Sequence, residues 1–209
     1  MLKLDRIEYD YPQASIQANF ELEEGNALAL MGPSGCGKTT TLDLIAGFLA
    51  PHRGEMCFNG QNLLALKPDA RPLSYLFQQH NLFPHLSLWQ NIGIGVRPSL
   101  KLSREEKQQI DQCLASVGLR GFGDRRPDQL SGGQQQRVGL ARGLIRSLLC
   151  NKPLLLLDEP FSALDQSLRT EIIALINRLR IEHRLTLIIS THQIDDAKAL
   201  NAQVYRFDN

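Results

Sequence analysis

The chain has 209 residues, of which 43% are hydrophobic and 22% are charged, and its formal net charge is +1. These values are typical of a globular domain with a sizeable core, and they lack the basic excess that a nucleic-acid partner would require. The four cysteines are widely separated, at Cys36, Cys57, Cys113 and Cys150, which favours a reduced, cytosolic protein over a disulfide framework.

The N-terminal part predicts a mixture of strands and one helix. Residues 1–11 and 15–25 alternate roughly between apolar and polar side chains, which predicts an antiparallel edge sheet. The apolar strand NALALMG follows, and KTTTLDLIAGFLA predicts a helix that we expect Pro51 to stop. Two further elements are predicted before residue 80, namely a hairpin in GEMCFNGQNL with Asn59-Gly60 at its turn and a strand in RPLSYLFQ.

The pattern becomes helical at about residue 80 and returns to strands at about residue 152. SREE at 103–106 is a capping box before a helical run to Gly118, and GGQQQRVGLARGLIRSLL predicts a longer helix. PLLLLDEP and LTLIIST predict buried strands on either side of a helix at about 167–183, and AQVYRFDN predicts a final strand that stops within a hairpin. We therefore expect one α/β domain, with residues 1–79 and 152–209 as its core and residues 80–151 as an inserted helical subdomain.

Neither the N-terminus nor the apolar runs indicate a membrane segment. The first residues carry charges every few positions, which is not the pattern of a secretory signal. The longest apolar runs fall far short of the ~20 residues that span a bilayer. Any membrane role would therefore depend on another chain.

The segment GPSGCGKT matches G-x-x-x-x-G-K-[ST] between a predicted strand and a predicted helix, and that context identifies a phosphate-binding loop. Its glycines allow backbone N–H groups to approach phosphate oxygens, Lys38 supplies positive charge to the β- and γ-phosphates, and the Thr39 hydroxyl can ligate Mg²⁺. The nucleotide contacts predicted here are Gly32, Pro33, Ser34, Gly35, Cys36, Gly37, Lys38, Thr39 and Thr40.

An acidic pair ends the strand LLLLDEP, where the ligands of open α/β sheets bind. We expect Asp158 to hold Mg²⁺ and Glu159 to orient the attacking water or accept its proton, because phosphoryl transfer depends mainly on positioning and charge stabilisation. A GTPase is not indicated, since the only candidate for N-K-x-D, at residues 151–154, lacks the aspartate. A small-molecule kinase would have no use for LSGGQ.

Six motifs occur in a fixed order: GPSGCGKT, LFQ, LSGGQQQR, LLLLDEP, SALD and STH. Through these motifs, nearly the whole chain resembles the ATP-binding subunit of ATP-binding-cassette (ABC) transporters. The resemblance implies a RecA-like P-loop NTPase core with an antiparallel β edge and an inserted α-helical subdomain. It also implies ATP and Mg²⁺ as cofactors, and a head-to-tail homodimer when ATP is bound. The signature residues would then contact the partner's ATP; they are Ser131, Gly132, Gly133 and Gln134.

The resemblance assigns four further roles by matching position. Tyr11 would stack on adenine, although the neighbouring Tyr9 leaves an ordinary edge-strand tyrosine as the alternative. Gln78 would contact Mg²⁺ and the attacking water, and His192 would contact the γ-phosphate. Asp165 would lie at the dimer interface and is equally a helix N-cap, and the two roles are compatible.

The same resemblance implies integral membrane permease subunits as partners and, through them, a periplasmic solute-binding protein. The subunit would then be peripheral, at the cytoplasmic face of the bacterial inner membrane. Permease subunits of this family insert a short helix into a groove of the cassette. Phe83, Leu86 and Trp89 could line that groove or, alternatively, belong to the core of the helical lobe.

Within the family, two segments resemble most the cassettes of bacterial thiamine importers, namely GFLAPHRGEMCFNG and RPLSYLFQQHNLFPHLSLWQNIGIG. Cassettes of iron and polyamine importers are close in pattern. Soluble cassettes that act on DNA need a long coiled-coil insertion, and ribosomal ones usually carry two cassettes, so 209 residues fit neither. Glu159 argues against a non-hydrolysing binding module. The short C-terminus indicates either a truncated chain or a minimal subunit without the appended domain of maltose-type cassettes.

Overall fold

The computed structural model describes residues 1–12, 14–77 and 82–207. In chain order the strands are β1 (Leu2–Tyr11), β2 (Ala14–Leu22), β3 (Ala27–Met31), β4 (Arg53–Phe58), β5 (Gln61–Asn62), β6 (Leu73–Leu76), β7 (Leu154–Asp158), β8 (Thr186–Ser190) and β9 (Gln203–Arg206). The helices are α1 (Lys38–Ala46), α2 (Leu88–Gly93), α3 (Arg104–Ser116), α4 (Gly132–Leu149), α5 (Gln166–His183) and α6 (Ile194–Ala199), and a 3₁₀ turn covers Pro127–Gln129.

The N-terminal segments form an antiparallel sheet in the order β2-β1-β4-β5. Asn59 and Gly60 connect β4 to β5 with positive φ angles of 49° and 79°, as a type I′ hairpin turn requires. The antiparallel edge sheet and this hairpin are therefore both confirmed.

The five remaining strands form a parallel sheet in the order β6-β7-β8-β3-β9. The inner strands β7, β8 and β3 are buried at every position, which explains why they are nearly continuous apolar runs. In β7, Leu154 and Leu156 face the core shared with α1 and the antiparallel sheet, whereas Leu155 and Leu157 face the core shared with α4 and α5. The predicted α/β fold with a parallel sheet is confirmed.

The helix after the phosphate loop is shorter than predicted. It ends at Ala46 rather than before Pro51, because Gly47 adopts a left-handed conformation with φ of 86° and its N–H bonds to the carbonyl of Asp43. The buried Arg71 completes the end of this helix, since its Nη1 donates to the carbonyls of Leu44 and Ile45 at 2.7 Å each. A distant arginine thus satisfies carbonyls that a helix end leaves without partners.

The last strand also differs from the prediction. Residues 203–206 do not belong to a hairpin, because β9 pairs in parallel with β3, with Leu28 opposite Gln203 and Met31 opposite Arg206. Tyr205 and Phe207 then pack edge to face with ring centroids 5.1 Å apart. The chain therefore returns to the edge of the parallel sheet beside the strand that leads into the phosphate loop.

Helices α2, α3 and α4 lie between β6 and β7 in the chain. Ser103 and Glu106 form the predicted capping box at the start of α3, with the Glu106 N–H donating to Ser103 Oγ at 3.2 Å and the Ser103 N–H donating to Glu106 Oε2 at 2.7 Å. Across the described ranges, every helix falls short of the length and apolar character that a bilayer crossing demands.

Candidate functional site

The phosphate loop lies between β3 and α1, at the carboxyl end of the parallel sheet. Lys38 is 6% exposed, and its Nζ donates to the carbonyls of Gly32 and Pro33 at 2.8 Å each. The same Nζ lies 3.8 Å from Cys36 Sγ. The lysine charge is thus held inside the loop, within reach of any anion that the loop's N–H groups would bind.

Asp158 ends β7 beside this loop and is only 3% exposed. Its Oδ2 accepts a hydrogen bond from Thr39 Oγ1 at 2.9 Å, and its Oδ1 accepts one from Ser190 Oγ at 2.5 Å. Two hydroxyl donors therefore stabilise a buried carboxylate. On α1, burial raises the pKa of the Asp43 carboxyl, and the nearby negative charge of Asp158 also raises it.

Glu159 follows Asp158 in a sharp turn, with a positive φ of 45°. Its Oε1 lies 2.7 Å from Nε2 of His192, which follows β8. The Glu159 and His192 side chains are 22% and 43% exposed, so solvent reaches both. The predicted catalytic carboxylate and the predicted phosphate-contacting imidazole are therefore neighbours at the open edge of the sheet, where a carboxylate–imidazole pair can hold a water and accept a proton.

The signature residues begin α4. Ser131 is its N-cap and forms a capping box with Gln134, in which the Gln134 N–H donates to Ser131 Oγ at 3.3 Å and the Ser131 N–H donates to Gln134 Oε1 at 2.9 Å. In the described part of the chain, no hydrogen bond joins these residues to the phosphate loop. The structure thus brings the loop, Asp158, Glu159 and His192 together, whereas the described signature residues make no hydrogen bond to the phosphate loop.

The remaining predicted residues have the following positions. Tyr11 ends β1 with 45% of its surface exposed, and its hydroxyl lies 3.2 Å from Thr40 Oγ1, so its ring lies beside the phosphate loop. Asp165 is the N-cap of α5, where its Oδ1 accepts from the Leu168 N–H at 3.0 Å. Gln78 lies outside the described residues, so its predicted contacts stay a prediction.

Sequence reasoning missed Gln136 and Ser190, both of which are buried. Gln136 Nε2 donates to the Glu159 carbonyl at 3.2 Å, and its Oε1 accepts from the Ala163 N–H at 3.2 Å. The amide therefore ties α4 to the loop after the acidic pair. Both residues lie inside quoted motifs, LSGGQQQR and STH, but nothing in the sequence distinguishes their buried side chains from the polar residues beside them.

The residues predicted to line a groove for a membrane partner differ in their exposure. Trp89 packs into the helical lobe, with its Nε1 donating to Asp111 Oδ1 at 2.9 Å and its ring against Gly123, which favours the lobe-core alternative for this residue. Phe83 is 41% exposed. A second exposed aromatic, Phe48, is 54% exposed and lies against Phe77 with ring centroids 5.5 Å apart.

Comparison with known proteins places the fold and these motifs in one family. Residues 16–162 match the family described as ABC transporter. The chain is 47% identical over 204 residues to the "Thiamine import ATP-binding protein ThiQ" of Vibrio cholerae, covering 98% of this chain and 84% of that protein. It is 50% identical over 196 residues to the protein of the same name from Histophilus somni, covering 94% of this chain and 89% of the relative.

Among solved structures, the chain is similar to the ATP-binding cassette MJ0796 in a dimeric, post-hydrolysis state bound to ADP and Pi. The TM-score is 0.85 at 31% sequence identity, and the match covers 100% of this chain and 94% of that one. A second dimeric structure of MJ0796, described as a bacterial ABC transporter cassette, also gives a TM-score of 0.85.

Proposed function

The chain belongs to the ABC transporter family as an ATP-hydrolysing subunit, and on that premise we propose that it drives thiamine import into a bacterial cell. The observation that carries the catalytic part is the contact between the phosphate loop and the acidic pair, where Thr39 Oγ1 lies 2.9 Å from Asp158 Oδ2. The choice of solute rests on the relatives named as thiamine import proteins, which are 47% and 50% identical to this chain.

We propose that Thr39 and Asp158 hold Mg²⁺ together with ATP. The residues fit the ion, because a hydroxyl and a carboxylate oxygen lie side by side at the end of the phosphate loop and Mg²⁺ prefers hard oxygen ligands. When bound, the ion would neutralise charge on the phosphates. Phosphate and water oxygens, and the predicted contact from Gln78, would supply the other ligands.

Lys38 would bind the phosphates by exchanging partners. Its ammonium now donates to the carbonyls of Gly32 and Pro33, and phosphate oxygens would replace these acceptors with stronger, charge-assisted hydrogen bonds. Because the lysine is already buried in the loop, little side-chain entropy remains to be lost when the nucleotide binds.

Glu159 would orient the attacking water and accept its proton. His192 would contact both the Glu159 carboxylate and the γ-phosphate and so fix their relative position. The separation of 2.7 Å between Glu159 and His192 supports this division of roles, since a base is most effective when a second group fixes its orientation. The carboxylate is partly exposed, so water can reach it without a conformational change in the sheet.

We propose that two copies associate head to tail and that the signature of one copy contacts the ATP of the other. The proposal is supported by the dimeric state of the similar cassette MJ0796 and by the start of α4, whose N–H groups suit an anion. Asp165 would then lie near the interface while also capping α5.

We propose that the subunit acts at the cytoplasmic face of the bacterial inner membrane, bound to permease subunits that in turn receive thiamine from a periplasmic binding protein. Phe48, Phe77 and Phe83 would contribute apolar surface to the permease contact. Phe48 and Phe83 are exposed, and Phe48 packs against the half-buried Phe77, which supports this role because exposed apolar patches mark protein contacts.

The test is a deletion of this gene in its own bacterium. Uptake of labelled thiamine should fall, and expression of the wild-type chain should restore it, whereas the Lys38→Ala variant should not. Iron and polyamine uptake, measured in the same strains, serve as the comparison. Loss of iron or polyamine uptake with normal thiamine uptake would reject the proposed solute while leaving the ATPase assignment intact.

A further inference from the structure

Ser190 is a fully buried serine at the end of β8, with 0% of its surface exposed. Its Oγ lies 2.5 Å from Asp158 Oδ1 and 2.8 Å from the backbone nitrogen of Glu159. One hydroxyl on the neighbouring strand therefore contacts both members of the acidic pair.

The directions of these two hydrogen bonds are fixed by chemistry. The Glu159 N–H is a donor, so Ser190 Oγ accepts there, and the single hydroxyl proton is left to donate to the Asp158 carboxylate. Such a chain of donors and acceptors polarises its members and strengthens both bonds in a buried environment. Ser190 thus has no alternative partner arrangement without breaking one of the two contacts.

The hydroxyl also distinguishes the two carboxylate oxygens of Asp158. Ser190 occupies Oδ1, whereas Oδ2 faces Thr39 Oγ1 at 2.9 Å on the phosphate-loop side. The plane of the carboxylate is therefore set from both ends, with one oxygen held by Ser190 and the other facing the phosphate loop.

We propose that Ser190 is a positioning residue for the hydrolysis reaction, which orients Asp158 towards the metal and fixes the spacing between Asp158 and Glu159. The inference rests on the proposed Mg²⁺·ATP site. Because Ser190 is fully buried behind the two acidic residues, it would act through them rather than through contact with nucleotide or metal. Groups that orient metal-binding carboxylates in this way commonly change metal affinity by about 10–100-fold when they are removed.

The experiment compares Ser190→Ala with Thr186→Val in the purified full chain. Thr186 lies on the same strand, is also 0% exposed, and its hydroxyl accepts from the Gly25 N–H at 3.1 Å, away from the acidic pair. Both variants lose one buried hydroxyl, so both are expected to lose some stability on unfolding in urea. Only Ser190→Ala changes the orientation of Asp158.

The decisive readout is equilibrium binding of a fluorescent ATP analogue, titrated with Mg²⁺ and repeated in EDTA. We expect Ser190→Ala to bind the analogue normally in EDTA and to require about tenfold more Mg²⁺ for the tightened binding of the wild type. Thr186→Val should match the wild type in both conditions. Ser190→Cys, which keeps a weak donor and fills the space, should lie between alanine and wild type and provides the same test if alanine prevents folding.

Two results would overturn the proposal in distinguishable ways. If Ser190→Ala and Thr186→Val lose similar stability and neither changes the Mg²⁺ requirement, Ser190 is a structural residue only. If Mg²⁺ has no effect on nucleotide binding in the wild type, the proposed metal site itself fails, and the role of Ser190 fails with it.

Discussion

The chain contains two glycine-rich helix starts, and their glycines have different surroundings. Gly37 is the N-cap of α1, with φ of 107°, and a Cβ added there would lie 2.7 Å from the side chain of Ile16. Gly132 begins α4 with nothing within 4 Å of an added Cβ. The first glycine is required by the chain's own backbone and packing, whereas no neighbour within the described chain requires the second.

This difference indicates what each helix start is built to contact. The phosphate loop has its shape fixed by its own strand, helix and buried lysine, so a nucleotide meets a preformed site. The signature leaves open space at Gly132, the first residue of α4, and its polar side chains are already used in its own capping box. A surface kept open in this way suits a ligand that is held mainly by another molecule.

The largest expected effect comes from removing the Glu159 carboxylate, which lies beside the phosphate loop. Glu159→Gln should keep ATP binding and lower turnover by about 10²–10⁴-fold, because an amide cannot accept the proton of the attacking water. The ATP-bound dimer should accumulate, which size-exclusion chromatography with ATP measures directly. Near-normal ATPase activity in the purified variant would remove Glu159 from the catalytic role.

A mixed dimer tests whether the two helix starts serve the same nucleotide. Lys38→Ala removes the phosphate-binding charge, and Ser131→Arg places a bulky side chain at the open signature, so each variant alone should be inactive. If the signature serves the partner's nucleotide, a tethered dimer of the two variants has one intact site and should recover part of the wild-type ATPase activity.

The reciprocal dimer supplies the control. It carries both lesions in one chain and none in the other, so the trans arrangement places one lesion in each site and predicts no activity. A signature that served its own chain would give the opposite result in the two dimers. Background activity in the first dimer, with activity in the second, would therefore reject the trans arrangement.

Much of the fold was predictable because its signals are local. The apolar runs of β7 and β8 are buried on both faces, and the phosphate loop joins a strand to a helix, so the sequence alone predicts a parallel sheet with a phosphate site at its edge. The capping box at Ser103 is equally local, since its two hydrogen bonds join residues three apart.

The misses depend on contacts between distant residues. The end of α1 is completed by Arg71, more than twenty positions later in the chain. Ser190 reaches the acidic pair only because β8 lies beside β7, and Gln136 reaches the Glu159 loop only through the packing of α4. No pattern within a short window carries this information, and so the sequence indicated the chemistry of the site but not the residues that position it.

A smaller effect is expected from the amide that joins the signature helix to the acidic loop. Gln136→Leu removes both hydrogen bonds of a buried amide, the one to the Glu159 carbonyl and the one from the Ala163 N–H, and should lower the free energy of unfolding by about 1–3 kcal/mol. Urea denaturation measures the loss. Gln135→Leu is the matched control, because Gln135 is more exposed and water can replace its hydrogen bonds, so an equal loss in both variants would contradict the argument.

The smallest expected change in stability comes from Gly132→Ala, which tests directly whether Gly132, unlike Gly37, is free of constraints from its own chain. Because an added Cβ meets open space and alanine favours a helix, the free energy of unfolding should stay the same or rise by up to about 1 kcal/mol. ATPase activity of the dimer should nevertheless fall, since the methyl group would lie where the partner's phosphate approaches.

Gly37→Ala is the control and should lose stability through its left-handed backbone and its contact with Ile16. If Gly132→Ala kept full ATPase activity, the open space would have no role in nucleotide contact; if it unfolded more easily, the glycine would be required by the chain itself, as Gly37 is.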